Sequence, residues 1–143
     1  MKKIAIFFGI IVFIVVAMFG LYINYNNIYS TIQRENRQFE SYYNEETYGT
    51  NLASIINKAI DSNIKNNIEK DNNGTYIGND TNSINIDIKM IDNDKIYNME
   101  KIYKGGISTF TSYYSEIKFK CTKIDYHQKT GKIKYMLFEQ ITQ

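Results

Sequence analysis

The hydrophobic pattern of this chain begins with a block, not an alternation. From Ile4 to Ile23 there is no charged residue and no Asn, Gln, Ser or Thr. At 1.5 Å rise per residue a helix of that length spans about 30 Å, the thickness of a bilayer's hydrocarbon core. A helix suits that solvent because its backbone polar groups are satisfied internally. The pattern therefore predicts a transmembrane helix over 4–23, preceded by a short basic end, 1–3. Lys2 and Lys3 ahead of an apolar run fit either a retained anchor or a cleaved signal peptide. The apolar region of a signal peptide is usually about 7–15 residues long and ends in small residues. Here the run is longer, and the only such pattern, Val15-Val16-Ala17, lies inside it. The retained signal-anchor is the expectation. The nearest basic residues after the span are Arg34 and Arg37, mixed with Glu35 and Glu40. Basic residues concentrate on the inner side of membranes, so the N-terminus is expected in the cytoplasm and the C-terminal part outside it.

Residues 24–49 read as a helical juxtamembrane stalk. Tyr25, Ile28, Ile32, Phe39 and Tyr42 share one stripe, with Glu35 or Asn36 at the position where one member is missing. A single helix cannot bury its own stripe. It must pack on its own domain, on a second copy or on a partner protein. Asn44 to Asn51 reads as a break, with Thr50 or Asn51 able to cap the helix that follows. That helix, from Leu52 to about Asn66, carries Leu52, Ile55, Ile56, Ala59 and Ile60 at helical spacing. Ile64 stands where the stripe would continue.

The remainder is strand-like. Asp71 to Ser83 is rich in turn residues. Ile84, Ile86, Ile88 and Met90 alternate with polar positions, which predicts a strand with one buried face. Asp92-Asn93-Asp94 reads as a turn, and Lys95 to Tyr103 as the returning strand. Ile107 to Ser115 fits a helical stripe and also a strand, with a short helix favoured. Ile117, Phe119 and Cys121 alternate, while Ile124 and Tyr126 lie in the opposite phase, implying a bulge near Thr122-Lys123 or a change of face. His127 to Gly131 reads as a hairpin loop and His127 as a solvated turn residue. Lys132 to Ile141 is the last strand, with Ile133, Tyr135 and Leu137 on one side. The expected class is α+β: a membrane helix and stalk, then a small extracytoplasmic domain, 50–143, of one packed helix, a second short one and about four antiparallel strands.

Composition narrows the function more than it names it. The 143 residues leave about 120 after the anchor, enough for one small domain. Set aside Lys2 and Lys3, and the remaining basic side chains balance the 15 acidic ones. A neutral body argues against nucleic acid as a partner. The absence of Pro and Trp, with frequent Asn, Ile, Lys and Tyr, has the look of an AT-rich genome. One cysteine, Cys121, excludes an internal disulfide, and it lies too far from the apolar run for lipidation.

The chain offers no catalytic, cofactor or metal signature. Thiol–imidazole catalysis would need Cys121 and His127 in contact, but Cys121 shares its expected face with core positions. One Cys and one His cannot build a zinc site without carboxylates at a spacing the chain lacks. Asp71 is followed by Gly74, which does not match the calcium-loop spacing. Adjacent Glu45 and Glu46 could not both point at one substrate from a helix. Asn73-Gly74-Thr75 matches a glycosylation acceptor but carries little weight in a chain of this composition. No enzyme and no cofactor are expected. Lys118, Lys120, Lys132 and Lys134 could form a basic face on the final hairpin, able to touch anionic lipid heads or envelope polymers, or simply a solvated sheet face whose lysines discourage edge pairing.

The order of elements, an apolar N-terminal helix running through a stalk into an antiparallel sheet, resembles type IV pilin-like subunits. In that family the helix assembles into a bundle and the sheet faces outward. The family's processing signal, a glycine followed by an apolar helix with glutamate at its fifth residue, is missing, since Gly9 is followed by Ile10 to Ala17 without a carboxylate. The unpaired stalk stripe, Tyr25 to Tyr42, points to a structural or assembly subunit of an envelope complex, associating through anchor and stalk with itself or another protein. The alternative is an anchored binding module that presents its domain to a protein or an anionic envelope ligand.

Overall fold

Uninterrupted helix-compatible sequence from Lys2 onward produces one long helix, α1 (Lys2–Glu40), in the computed structural model, which describes residues 2–92 and 95–141. Met1, and Asn93 and Asp94 of the expected turn, lie outside the described residues. Two compact units are present, Met1–Arg34 and Glu35–Gln143. The second begins well before the expected residue 50, because the last turns of α1 and the segment after it belong to it. Helix α1 ends where Tyr42 and Tyr43 donate their N–H groups to Phe39 and Glu40 in a tightened last turn. Asn44 then takes φ 61°, a left-handed conformation that Asn tolerates better than most side chains.

Among the described residues, five strands and three further helices follow α1. Strand β1 (Glu46–Tyr48) leads directly into α2 (Gly49–Lys65), then come β2 (Asn85–Lys89), β3 (Ile96–Asn98), α3 (Met99–Gly105), α4 (Ile107–Tyr114), β4 (Lys118–Tyr126) and β5 (Ile133–Gln140). The class is α+β, as expected, but the sheet is mixed and has five strands in the order β1-β4-β5-β2-β3. Strands β2 and β5 run parallel from Asn85 beside Tyr135 to Lys89 beside Glu139. All other pairs are antiparallel. A parallel pair needs a long crossover, and the α3–α4 pair together with β4 supplies it. The break expected at 44–51 hides β1, which pairs Glu46–Tyr48 with Lys120–Lys118 at the sheet edge.

One face of the sheet holds the core. Leu52, Ile55, Ile56, Ala59 and Ile60 of α2 are buried against Ile86 and Ile88 of β2, Phe119 and Cys121 of β4, and Met136 and Phe138 of β5. Burying each large aliphatic contributes roughly 1.5–3 kcal/mol before chain entropy is charged. Helix α2 starts at Gly49, earlier than expected, and neither Thr50 nor Asn51 caps it; its N-cap position is Tyr48, without a side-chain bond. The stripe does not continue to Ile64, which is exposed; Asn63 is the buried residue there.

Of four further expectations, two are corrected and two hold. The returning strand stops at Asn98, whose side chain accepts the Lys101 N–H and caps α3, so residues 99–105 are helical. Ile107–Tyr114 is the favoured short helix. The expected bulge is present in β4, where Cys121 faces Phe138 but Lys123 faces Leu137. A second irregularity, at Asp125/Tyr126, shifts β5, so Ile133, Met136 and Phe138 face the core while Tyr135 and Leu137 stay half-buried. The simple alternation of Ile133, Tyr135 and Leu137 therefore does not hold.

Candidate functional site

The expected interaction stripe divides into two parts. Phe39 is buried in the core and Tyr42 packs against it. Asn36 fills the missing stripe position and is itself buried. Its amide donates to the Gly131 carbonyl at 2.8 Å and accepts the Ile133 N–H at 3.1 Å. Two charged neighbours complete the fastening. Glu35 pairs with Lys132 at 2.8 Å, and Glu40 accepts from the Tyr126 hydroxyl at 2.9 Å. Burial and then the Glu40 carboxylate push the Tyr126 hydroxyl up to about 12. The final turns of α1 are thus part of the domain, joined to the β4–β5 hairpin by one buried amide, one buried ring and two surface pairs.

Tyr25 and Ile28 are in a different situation. They are 66% and 53% exposed, and Tyr25 stacks only on Tyr29, one turn along, at 6.4 Å between ring centres. Ile32 is half-buried. Every large apolar residue from Ile4 to Ile23 is exposed as well, so an uncovered apolar surface runs along this unit. Among the described residues one helix, Lys3–Glu40, is long and apolar enough to cross a membrane, with a mean hydropathy of 3.0 in its most apolar window.

The four hairpin lysines are not brought together. The antiparallel register sets Lys118 and Lys120 beside Glu46, Glu139 and Gln140, while Lys132 and Lys134 lie at the opposite, loop end of the hairpin. Lys118 is paired with Glu46 at 2.9 Å, which raises its pKa, and Lys132 with Glu35. Lys123–Asp125 and Lys129–Asp80 add further pairs at 3.0 and 2.8 Å. The surface is mixed in charge, not a basic face. Its ion pairs are largely exposed and count for little in stability.

Cys121 and His127 spend their polar atoms separately. Cys121 is fully buried, its sulfur 3.5 Å from the Lys123 carbonyl, and burial pushes its thiol up to about 11. A thiol in that state is a poor nucleophile at neutral pH. His127 is not the solvated residue expected of a hairpin loop: it is 2% exposed, and its Nε2 lies 2.8 Å from the Ser83 carbonyl. Its backbone closes the loop by donating to Lys132 and accepting from Gly131, each at 2.8 Å. Together with Thr130 donating to the Thr81 carbonyl, it fixes the 79–83 turn against the hairpin. No local sequence signal marks this burial, because the partner segment lies 44 residues away.

No group of three or more His, Cys, Asp or Glu able to hold a metal ion occurs among the described residues. No protein-family model matches the chain, and neither a curated protein nor a solved structure does, so its own geometry is what bears on function.

Proposed function

We propose that this chain is a single-pass membrane protein, N-terminus in the cytoplasm, whose α+β domain works outside the membrane as a non-enzymatic subunit of an envelope assembly. The observation that carries this reading is the uncovered surface of α1. Exposed patches of more than a few hundred Å² on a water-soluble chain are a liability. Residues 4–23 are accounted for by lipid. Tyr25 and Ile28 lie beyond the apolar span and still expose large rings and aliphatics. A second copy of the same helix is the simplest cover for them. The layout also keeps its likeness to pilin-like subunits, without their processing signal.

The test is crosslinking in cells of the full chain against a Tyr25→Ser, Ile28→Ser variant. Phe39 is unsuitable for this purpose, because it belongs to the domain core. The reading expects a dimer or ladder that the double variant loses while remaining in the membrane. An unchanged ladder would remove the stripe as the contact and leave the domain as the associating part.

A further inference from the structure

We propose that a cavity beside α3 binds a phosphoryl group carried on a small polyol, a site separate from the association surface of α1. Its walls are the 70–76 loop and α3, and its volume is about 540 Å³. The loop is a closed hairpin. Asp71 donates its N–H to the Thr75 carbonyl, and its carboxylate accepts the N–H groups of Asn73 and Thr75, both at 2.9 Å. Glu100 ties the loop to α3 by accepting the Tyr76 N–H at 3.1 Å. A cavity between two fixed walls loses little entropy when a ligand fills it.

The charge of the lining decides the class of ligand. Lys70, Lys101 and Lys104 line the cavity, and among the described residues none of them has an ion-pair partner. Lys70 instead sits 4.4 Å above the Tyr76 ring and Lys101 5.0 Å from the Tyr97 ring. A ring face steers an ammonium without cancelling its charge. Four lysines of the β4–β5 hairpin, Lys118, Lys123, Lys129 and Lys132, by contrast meet carboxylates at 2.8–3.0 Å. Three uncancelled ammoniums around one cavity suit a group with three charged oxygens better than a carboxylate with two. The one acidic side chain of the lining, Glu100, is 9% exposed and gives one oxygen to Tyr76. With the amides of Asn73 and Asn98 it offers hydrogen bonds suited to hydroxyls. A glycerol phosphate group combines both features, and it could arrive free in solution or as a lipid headgroup.

The full chain in phosphatidylcholine nanodiscs is titrated with sn-glycerol 3-phosphate, followed by amide shifts at Gly74, Thr75 and Lys101. Saturable binding is expected, with none for glycerol. Lys70→Gln, Lys101→Gln and Lys104→Gln together weaken it by about tenfold or more. The control Lys118→Gln, Lys120→Gln, Lys134→Gln makes the same change of net charge and stays within about twofold, because its lysines are remote and screened. The three cavity lysines are exposed, so these variants fold. Discs containing phosphatidylglycerol separate the sources. Competition with the free compound assigns the headgroup, and undiminished binding assigns the soluble one. Absence of saturable binding, or an equal loss in the two triple variants, overturns the proposal.

Discussion

Asn63 and Ile84 exchange two hydrogen bonds of 2.8 Å: the Asn63 amide donates to the Ile84 carbonyl, and its oxygen accepts the Ile84 N–H. A side chain here does what a neighbouring strand would do for backbone just ahead of β2. Asn36 repeats the device on Gly131 and Ile133, just ahead of β5. The two asparagines thus secure the entries of the two parallel strands. Asn63→Ala leaves both polar groups of a buried residue without partners. At about 1–3 kcal/mol for each orphan, the domain loses about 2–6 kcal/mol. Urea unfolding of Asn63→Ala beside an exposed control, Asn51→Ala, measures this, and equal midpoints would contradict it.

Phe39 and Tyr25 share a helical stripe but not an environment. Phe39→Ala opens a cavity in the core and costs about 3–5 kcal/mol of domain stability. Tyr25→Ala leaves the domain's unfolding midpoint unchanged, since the ring meets only Tyr29. Thermal or urea denaturation followed by domain-specific amide signals separates the two.

Gly49 opens α2 where a Cβ would collide with the Tyr114 carbonyl at the end of α4. Gly49→Ala therefore forces α2 and α4 apart and destabilises by about 1–3 kcal/mol, although alanine favours helix. An unchanged midpoint would show that α4 moves freely.

Alkaline pH acts on the domain through Cys121 in the core and Tyr126 at the surface. Both are acids whose neutral form is favoured by folding, Cys121 from 9.0 to about 11 and Tyr126 from 10.0 to about 12. Between those values the folded state holds protons that the unfolded state releases, so stability falls as pH rises through them. It is fully present below pH 9. Denaturant midpoints are expected to be flat with respect to these two groups up to about pH 9 and to fall above it. Cys121 should also resist alkylation at pH 8 until the domain unfolds, and rapid labelling of the folded chain would refute its burial.

Much of the fold was legible from periodicity. The apolar run, the α2 stripe, the buried face of β2 and the β4 bulge each follow from local spacing. The missed features come from pairing over distance. Strand β1 has three residues with Thr47 buried between Glu46 and Tyr48, too short for a pattern. The parallel β2–β5 pair depends on where α3 and α4 return the chain. Asn98, three residues before Lys101, was a readable cap signal, since Asn at that spacing accepts the N–H. The site was less legible than the fold. Basic residues can be counted in a sequence, but only the fold reveals that Glu46 and Glu35 neutralise Lys118 and Lys132. Of the cavity lysines, Lys101 and Lys104 sit one turn apart on α3, but Lys70 comes from a separate, earlier loop, and the three carry no shared motif.

The central claim is that residues 4–23 hold the domain at a membrane. The most direct measurement is carbonate extraction of cells expressing a C-terminally tagged full chain, with the intact mass of the tagged protein determined in each fraction. The account predicts a membrane pellet and a mass that retains Ile4 to Ile23. A soluble protein whose mass begins after Ala17 would contradict it, by showing that the apolar run is removed.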